Sequence, residues 1–221
     1  MSLFDGIIAC WDAGGKRSYP GTGDTWYDVV GGVNGTLENE DDDALNFNSS
    51  KGGYFEFDGT DGRVDCGDNL MVGWSEISVC VWALVENSGD DFPRLATRGG
   101  ACFEFAISRS DQNRLFCYIN GSYVNAPDDS MNDHYGKWTH YAMRWVTGSG
   151  NWRLYINGEV IVTSGEYASA MGSATHDLFL AGRPTTQALN GGMGPVYIYN
   201  RALSDAEIKE LYYMQKSRFE D

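Results

Sequence analysis

Residues 76–87, EISVCVWALVEN, constrain this chain more than any other stretch. Val79, Val81, Ala83 and Val85 alternate with Cys80, Trp82 and Leu84, so an extended segment here is apolar on both faces. Such a strand has to be central in its sheet and covered on both sides. The surrounding sequence also reads as β. Ile7 to Trp11 form a short apolar run, and GGYFEFDGTDGRVDCGD reads as strand, turn, strand. Tyr54, Phe55 and Phe57 stand before Asp58-Gly59 in that stretch, with Val64 and Cys66 after it. GKWTHYAMRWV, HDLFLAGRP and GPVYIYN supply further strands, whereas GDDFPRLATRGG reads as a loop in which Asp90 and Asp91 pair with Arg94 and Arg98. RLFCYINGSYV and RLYINGEVIV each place Asn-Gly between β-rich runs. Asn120-Gly121 and Asn157-Gly158 therefore predict hairpins, because a type I′ turn needs positive φ at both central residues. Short strands with turn signals about every 8–12 residues predict an all-β fold, a β-sandwich or jelly roll. No compositional break marks a linker, so residues 1–221 read as one domain.

The last part of the chain breaks this pattern. In GGMGPVYIYNRALSDAEIKELY, a strand over Val196–Tyr199 runs into a helix predicted at about 204–215. Ser204 is an N-cap, Glu207 three residues later completes a capping box, and Leu203 and Ile208 are placed for a hydrophobic staple. Ile208, Leu211 and Tyr212 share one face. A helix of about a dozen residues is marginal alone in water, so it must dock on the sandwich or on a neighbouring protein. Between Tyr199-Asn200 and the cap, Arg201 is an architectural residue whose guanidinium can tie the corner to carbonyls or a carboxylate.

The net charge of −15 disfavours nucleic acid and anionic membranes, and is compatible with cations and neutral glycans. Five cysteines without C-x-x-C spacing predict free thiols, with Cys80 and Cys117 as small core residues. No stretch has the features of a signal peptide or a membrane span. The expectation is folding in a reducing cytoplasm.

GGYFEFDGTDGRVDCGD, SVCVWALV, GKWTHYAMRWVTGSGNWRLYINGEVI, LFLAGRP and GPVYIYNRALSDAEIKELY together resemble the successive blocks of concanavalin A-like, laminin-G-like jelly-roll domains over nearly the whole chain. The most specific blocks are Trp138-Thr139-His140, the hairpin from Leu154 to Gly158, and Tyr199 to Ser204. The opening, CWDAGGKRSYPGTGDTWYDVVGGVNGTL, and the ending, YNRALSDAEIKELYYMQKSRF, look most like the version found in virion proteins of tailed bacteriophages. The resemblance implies two curved antiparallel sheets and a non-enzymatic structural role on a particle surface, as a capsid decoration or tail-associated protein. Its partners would be capsid or tail subunits and further copies of itself, assembled in the host cytoplasm.

Three kinds of site chemistry are open to such a chain. A glycosidase would need paired carboxylates on one strand. The nearest spacing, Glu56-Phe57-Asp58-Gly59-Thr60-Asp61, reads into a turn at Asp58-Gly59 that breaks the shared face. The three histidines, His134, His140 and His176, lack helical metal spacing, and His140 reads as packed in place. Calcium would take oxygens from Asp58, Asp61, Asp65 and Asp68, or from Glu40 to Asp43. Relatives often carry an acidic pair before the last strand, and Gly194-Pro195 stand there in this chain. Host glycans would stack on exposed aromatics, for which Trp152 with Arg153, Trp74 and Tyr123 are the candidates of a lectin-like adhesin.

Overall fold

A computed structural model describes the chain apart from residues 1, 39–43, 69, 100–101, 111, 149–151, 165–168, 173–175, 185–186 and 221. In chain order the strands are β1 (Ile7–Trp11), β2 (Thr25–Trp26), β3 (Gly35–Glu38), β4 (Leu45–Asn48), β5 (Tyr54–Asp58) and β6 (Arg63–Asp65). They continue with β7 (Glu76–Val85), β8 (Arg94–Arg98), β9 (Phe103–Ser108), β10 (Arg114–Ile119) and β11 (Ser122–Asn125). The set closes with β12 (Trp138–Val146), β13 (Trp152–Ile156), β14 (Glu159–Ser164), β15 (Leu178–Leu180) and β16 (Asn190–Tyr199), followed by α1 (Asp205–Phe219). The first sheet has the order β14-β13-β12-β7-β16-β5-β4, with β1 also pairing β16; the second has the order β11-β10-β9-β8-β15-β6-β3-β2. Every pairing between the described strands is antiparallel.

The central strand is β7, paired with β12 on one side and β16 on the other. Ile77, Val79, Val81, Ala83 and Val85 face the second sheet and join the main core. Cys80 and Trp82 face outward and are also fully buried, because α1 lies over them. The helix that cannot stand alone and the strand that cannot bear exposure cover each other.

The cap anchors this docking. Ser204 accepts from the Glu207 N–H, and Glu207 accepts from the Ser204 N–H. Leu203 and Ile208 are fully buried against Cys80, Ala142, Tyr155 and Tyr199. Asp205, at the positive end of the helix dipole, accepts from Arg153 (2.5 Å) and from the Tyr155 hydroxyl (2.8 Å). The helix runs past residue 215 to Phe219, whose ring stacks on Trp82 at 4.9 Å and meets Trp138 at 4.6 Å. Arg218 ties the same end to Asp12 at 2.8 and 2.9 Å.

Strand β16 begins at Asn190, six residues before the predicted Val196. Gly194-Pro195 lie inside it, at the register shift between Met193 and Val196. Proline has no N–H for the ladder, so it sits at the irregularity where β16 exchanges β5 for β1 as its neighbour. Tyr54–Asp58 and Arg63–Asp65 belong to different sheets, so the turn at Asp58-Gly59 crosses the sandwich and does not close a hairpin. Residues 94–98, read as a loop, form the wholly buried strand β8.

Both Asn-Gly turns have the positive φ that the type I′ turn requires: 44° and 90° at Asn120-Gly121, 51° and 76° at Asn157-Gly158. A Cβ on Gly158 would lie 3.2 Å from the Lys209 Cα and 3.3 Å from the Tyr212 ring, whereas one on Gly121 meets nothing within 4 Å. Gly158→Ala is therefore expected to lower stability by about 2 kcal/mol, and Gly121→Ala by about 1 kcal/mol, the cost of the left-handed backbone alone. Parallel urea titrations of the two variants check the difference.

Candidate functional site

The helix shields only part of the outer face of the first sheet. Beyond it, the register aligns Asn46, Glu56, Gly192, Leu84 and Trp138 in one row across β4, β5, β16, β7 and β12. Asp58 pairs with Asn190 in a neighbouring row. All of these except Trp138 line a groove of about 400 Å³, together with Tyr54, Glu86 and the Gly191-Gly192 backbone. Strand alternation puts them there: Phe55 and Phe57 point into the core, so Tyr54, Glu56 and Asp58 point out.

The groove combines aromatic edges with polar side chains. The Tyr54 ring meets Trp138 edge-on at 4.8 Å. Gly192 leaves room for that contact, since a Cβ there would lie 2.8 Å from one ring and 3.1 Å from the other. Glu56 accepts from the Tyr54 hydroxyl (2.8 Å) and the Asn48 amide (2.9 Å). Burial, then the Glu56 hydrogen bond, raises the Tyr54 pKa, so its hydroxyl keeps its proton at neutral pH. On the other side of Trp138 a recess of about 540 Å³ is lined by Lys51, Lys137, His134, Asn157, Tyr212 and Phe219, among others.

The residues predicted to hold glycan do not form one site. Trp152 is fully buried in the core, because β13 turns Trp152, Leu154 and Ile156 inward, and it offers no face to a sugar. Arg153, of opposite parity, is held under the helix by Asp205. Trp74 is half-buried against the main core. Tyr123 is exposed, but on the other sheet.

The predicted calcium ligands are likewise not assembled. The Thr60 N–H and hydroxyl donate to the two oxygens of Asp58 (2.8 and 2.9 Å), and the Gly67 N–H donates to Asp65 (2.7 Å). Asp61 uses its carbonyl to accept from Arg63. Among the described residues, no group of three His, Cys, Asp or Glu side chains is placed to hold a metal ion. Glu40 to Asp43 lie outside the described residues. His140 is packed between Trp82 and Tyr212, and burial pushes its pKa down to about 3. Arg94 pairs with Glu104 at 3.1 Å, and not with the neighbouring Asp90 and Asp91.

At the strand–helix corner, Arg201 donates to the Asp5 carbonyl (2.6 Å), the Ser2 carbonyl (3.2 Å) and both oxygens of Glu207 (2.6 and 3.1 Å). Its guanidinium also lies over the Tyr199 ring, and the Asn200 N–H donates to the Gly6 carbonyl. The Asn157 side chain accepts from the His140 N–H and clips the hairpin to β12.

Residues 58–209 match the family model described as concanavalin A-like lectin/glucanases superfamily. The chain belongs to that superfamily. No curated protein matches the sequence. The fold of this superfamily member is similar to domain 4 of AbnA, an extracellular arabinanase of Geobacillus stearothermophilus, solved with arabinotriose. That similarity has a TM-score of 0.69 and 17% identity, covering 93% of this chain and 98% of the other. It is also similar to the binding domain of botulinum neurotoxin serotype D/C (TM-score 0.71, 18% identity), covering 97% of this chain and 53% of that one. Trypanosoma rangeli sialidase, solved with sialic acid, is similar at a TM-score of 0.66 and 14% identity, with 98% of this chain and 34% of that one covered.

Sequence reasoning missed the groove because it weighted tryptophans and acidic runs. The signal was present in the alternation of YFEFD and LNFN, which puts Tyr54, Glu56, Asp58, Asn46 and Asn48 on a single side.

Proposed function

We propose that this chain is a non-enzymatic glycan-binding module carried on the surface of a bacteriophage particle. The observation that carries the glycan reading is the open groove on the first sheet, where Tyr54 borders a row of amide and carboxylate acceptors. Sugars are held by such a combination, their C–H faces against aromatic rings and their hydroxyls on polar groups. Structures similar to this fold include AbnA domain 4, solved with arabinotriose, and a sialidase solved with sialic acid, of which this chain covers 34%. On an array of neutral oligosaccharides the protein is expected to retain one class, with at least tenfold weaker binding for Glu56→Ala at unchanged circular dichroism. Retention of no class, or equal binding by the variant, overturns the reading.

The particle assignment rests on the likeness of the opening and closing blocks to tailed-phage virion proteins. An apolar recess of about 350 Å³ between the N-terminal segment and the helix gives attachment a surface; Leu3, Phe4, Ile7, Tyr197, Leu211 and Met214 line it, and Phe4 is 79% exposed. Capsid or tail subunits are the partners, and the module is repeated around a symmetry axis. Regular density for the protein in a map of purified particles tests this, and its absence from particles refutes it.

A polysaccharide hydrolase is the second reading, because Glu56 and Asp58 share the groove face after all. Asp58 remains in β5, and the turn does not break the alternation. Both carboxylates are nevertheless occupied as acceptors for local donors, with Tyr54 and Asn48 on one and Thr60 on the other. Release of reducing ends from a bound polysaccharide, lost in Glu56→Ala, would establish this reading against the non-enzymatic one.

A further inference from the structure

The outer face of the second sheet has a different chemistry from the groove. Its register lines up Tyr123, Tyr118, Glu104 and Thr97 across β11, β10, β9 and β8. The two tyrosine rings lie 4.7 Å apart, and Tyr123 is 52% exposed. Directly opposed residues on a sheet place their side chains about 5 Å apart, so Tyr118 borders Glu104.

Two guanidinium groups meet that single carboxylate. Arg94 is buried, donates to the Gln187 side chain at 3.0 Å, lies 3.1 Å from one Glu104 oxygen and stacks over Phe116. It is fixed, and it neutralises Glu104. Arg183 lies 3.5 Å from the other oxygen, longer than an ordinary charge-assisted hydrogen bond, and its side chain is 37% exposed. Two further charges nearby are committed, Asp90 and Arg109. Asp90 accepts from the Phe92 and Gln187 N–H groups, Arg109 donates to the Asp90 carbonyl, and the buried Arg98 lines the small recess beside Arg183. On a chain of net charge −15, Arg183 is, among the described residues of this face, a loosely held cation near a tyrosine pair of which Tyr123 is exposed.

We propose that this face is a second, separate site for an acidic sugar, with Tyr118 and Tyr123 against the ring and Arg183 on its carboxylate. The proposal rests on the reading of the module as glycan-binding, and it assigns a ligand class to a surface away from the groove. A sugar acid suits the site because one small rigid ring presents a C–H face and an anionic group together. An acidic peptide would use Arg183 without needing the tyrosines. Arg94 has the supporting role of occupying Glu104, which would otherwise repel the ligand.

The test is calorimetric titration of the whole chain with a galacturonate trisaccharide, its methyl ester, sialyllactose and a poly-glutamate peptide. At least one of the two acidic sugars is expected to bind, the galacturonate more tightly than its uncharged ester. Binding should weaken at least tenfold in Arg183→Gln and in Tyr123→Ala, and should fall with added salt. Glu56→Ala should leave it unchanged. Failure of both acidic sugars to bind the wild type overturns the proposal, as does equal binding of the ester or of poly-glutamate. Loss of acidic-sugar binding in Glu56→Ala also overturns it, by placing the ligand in the groove. Neutral-glycan binding at the groove is read separately, so either site can fail without the other.

Discussion

Replacement of Trp82 by alanine is expected to cost about 3–5 kcal/mol, the usual range for truncating a buried aromatic residue. For a domain of this size that lowers the melting temperature by roughly 10 °C. Trp82 is fully buried on the outer face of β7. It stacks on Tyr212 at 5.6 Å with 19° between the rings, and on Phe219 at 4.9 Å with 21°. Both partners come from α1, so the indole is the main apolar surface on which the second half of the helix rests. Its N–H has no hydrogen-bond partner among the described residues. Trp82→Phe should therefore lose packing but no polar contact, and cost much less than the alanine variant. In Trp82→Ala the helix end should also become open to proteolysis at Lys216 and Arg218 while the sheets persist. A change below about 1 kcal/mol would mean that the helix is held by its N-terminal half alone.

That same tryptophan illustrates what was legible in the sequence. Apolar residues at both parities of residues 76–85 require two covers, and the second sheet and the helix are those covers. The capping box and both Asn-Gly turns were readable because they depend on local backbone geometry at a few adjacent residues. Strand β8 was not, since Arg94 and Arg98 at its ends look like loop residues until Glu104 of the adjacent β9 is brought beside Arg94. Trp152 was misjudged for a related reason. Its direction is set by the parity of β13 against β12, a pairing that no local pattern specifies. The groove needed still longer-range knowledge, since its row joins residues 46, 56, 84, 138 and 192 only through the sheet order. Asp58 looked like a metal ligand because acidic residues cluster along the chain there, yet Thr60 takes up its oxygens locally.

The strand–helix corner should dominate the response to acid. Hydrogen bonds from Arg201, and then from the Ser204 N–H and hydroxyl, outweigh burial and hold the Glu207 carboxyl down at about 2. A carboxyl with a depressed folded-state pKa stabilises the fold above its unfolded value, near 4.5, and that contribution is lost as pH falls toward 2. Glu207→Gln should thus be less stable than wild type at pH 7 and converge on it between about pH 4.5 and 2. Arg201→Ala removes the other side of the pair and also the donors to the Asp5 and Ser2 carbonyls, so it releases the N-terminal segment as well as the cap. With the two side chains only 14% and 13% exposed, its expected cost is about 2–3 kcal/mol. That is below the range for a fully buried pair, because Glu207 keeps its bonds from Ser204. Chemical denaturation of wild type and both variants from pH 7 to pH 2 measures each quantity. Parallel pH curves for wild type and Glu207→Gln would show that the corner is not the acid-sensitive element. Both curves should also fall with acid while they converge, because Asp205 is held below its ordinary range, burial being outweighed by Tyr155, Arg153 and Arg144, and it titrates in both proteins.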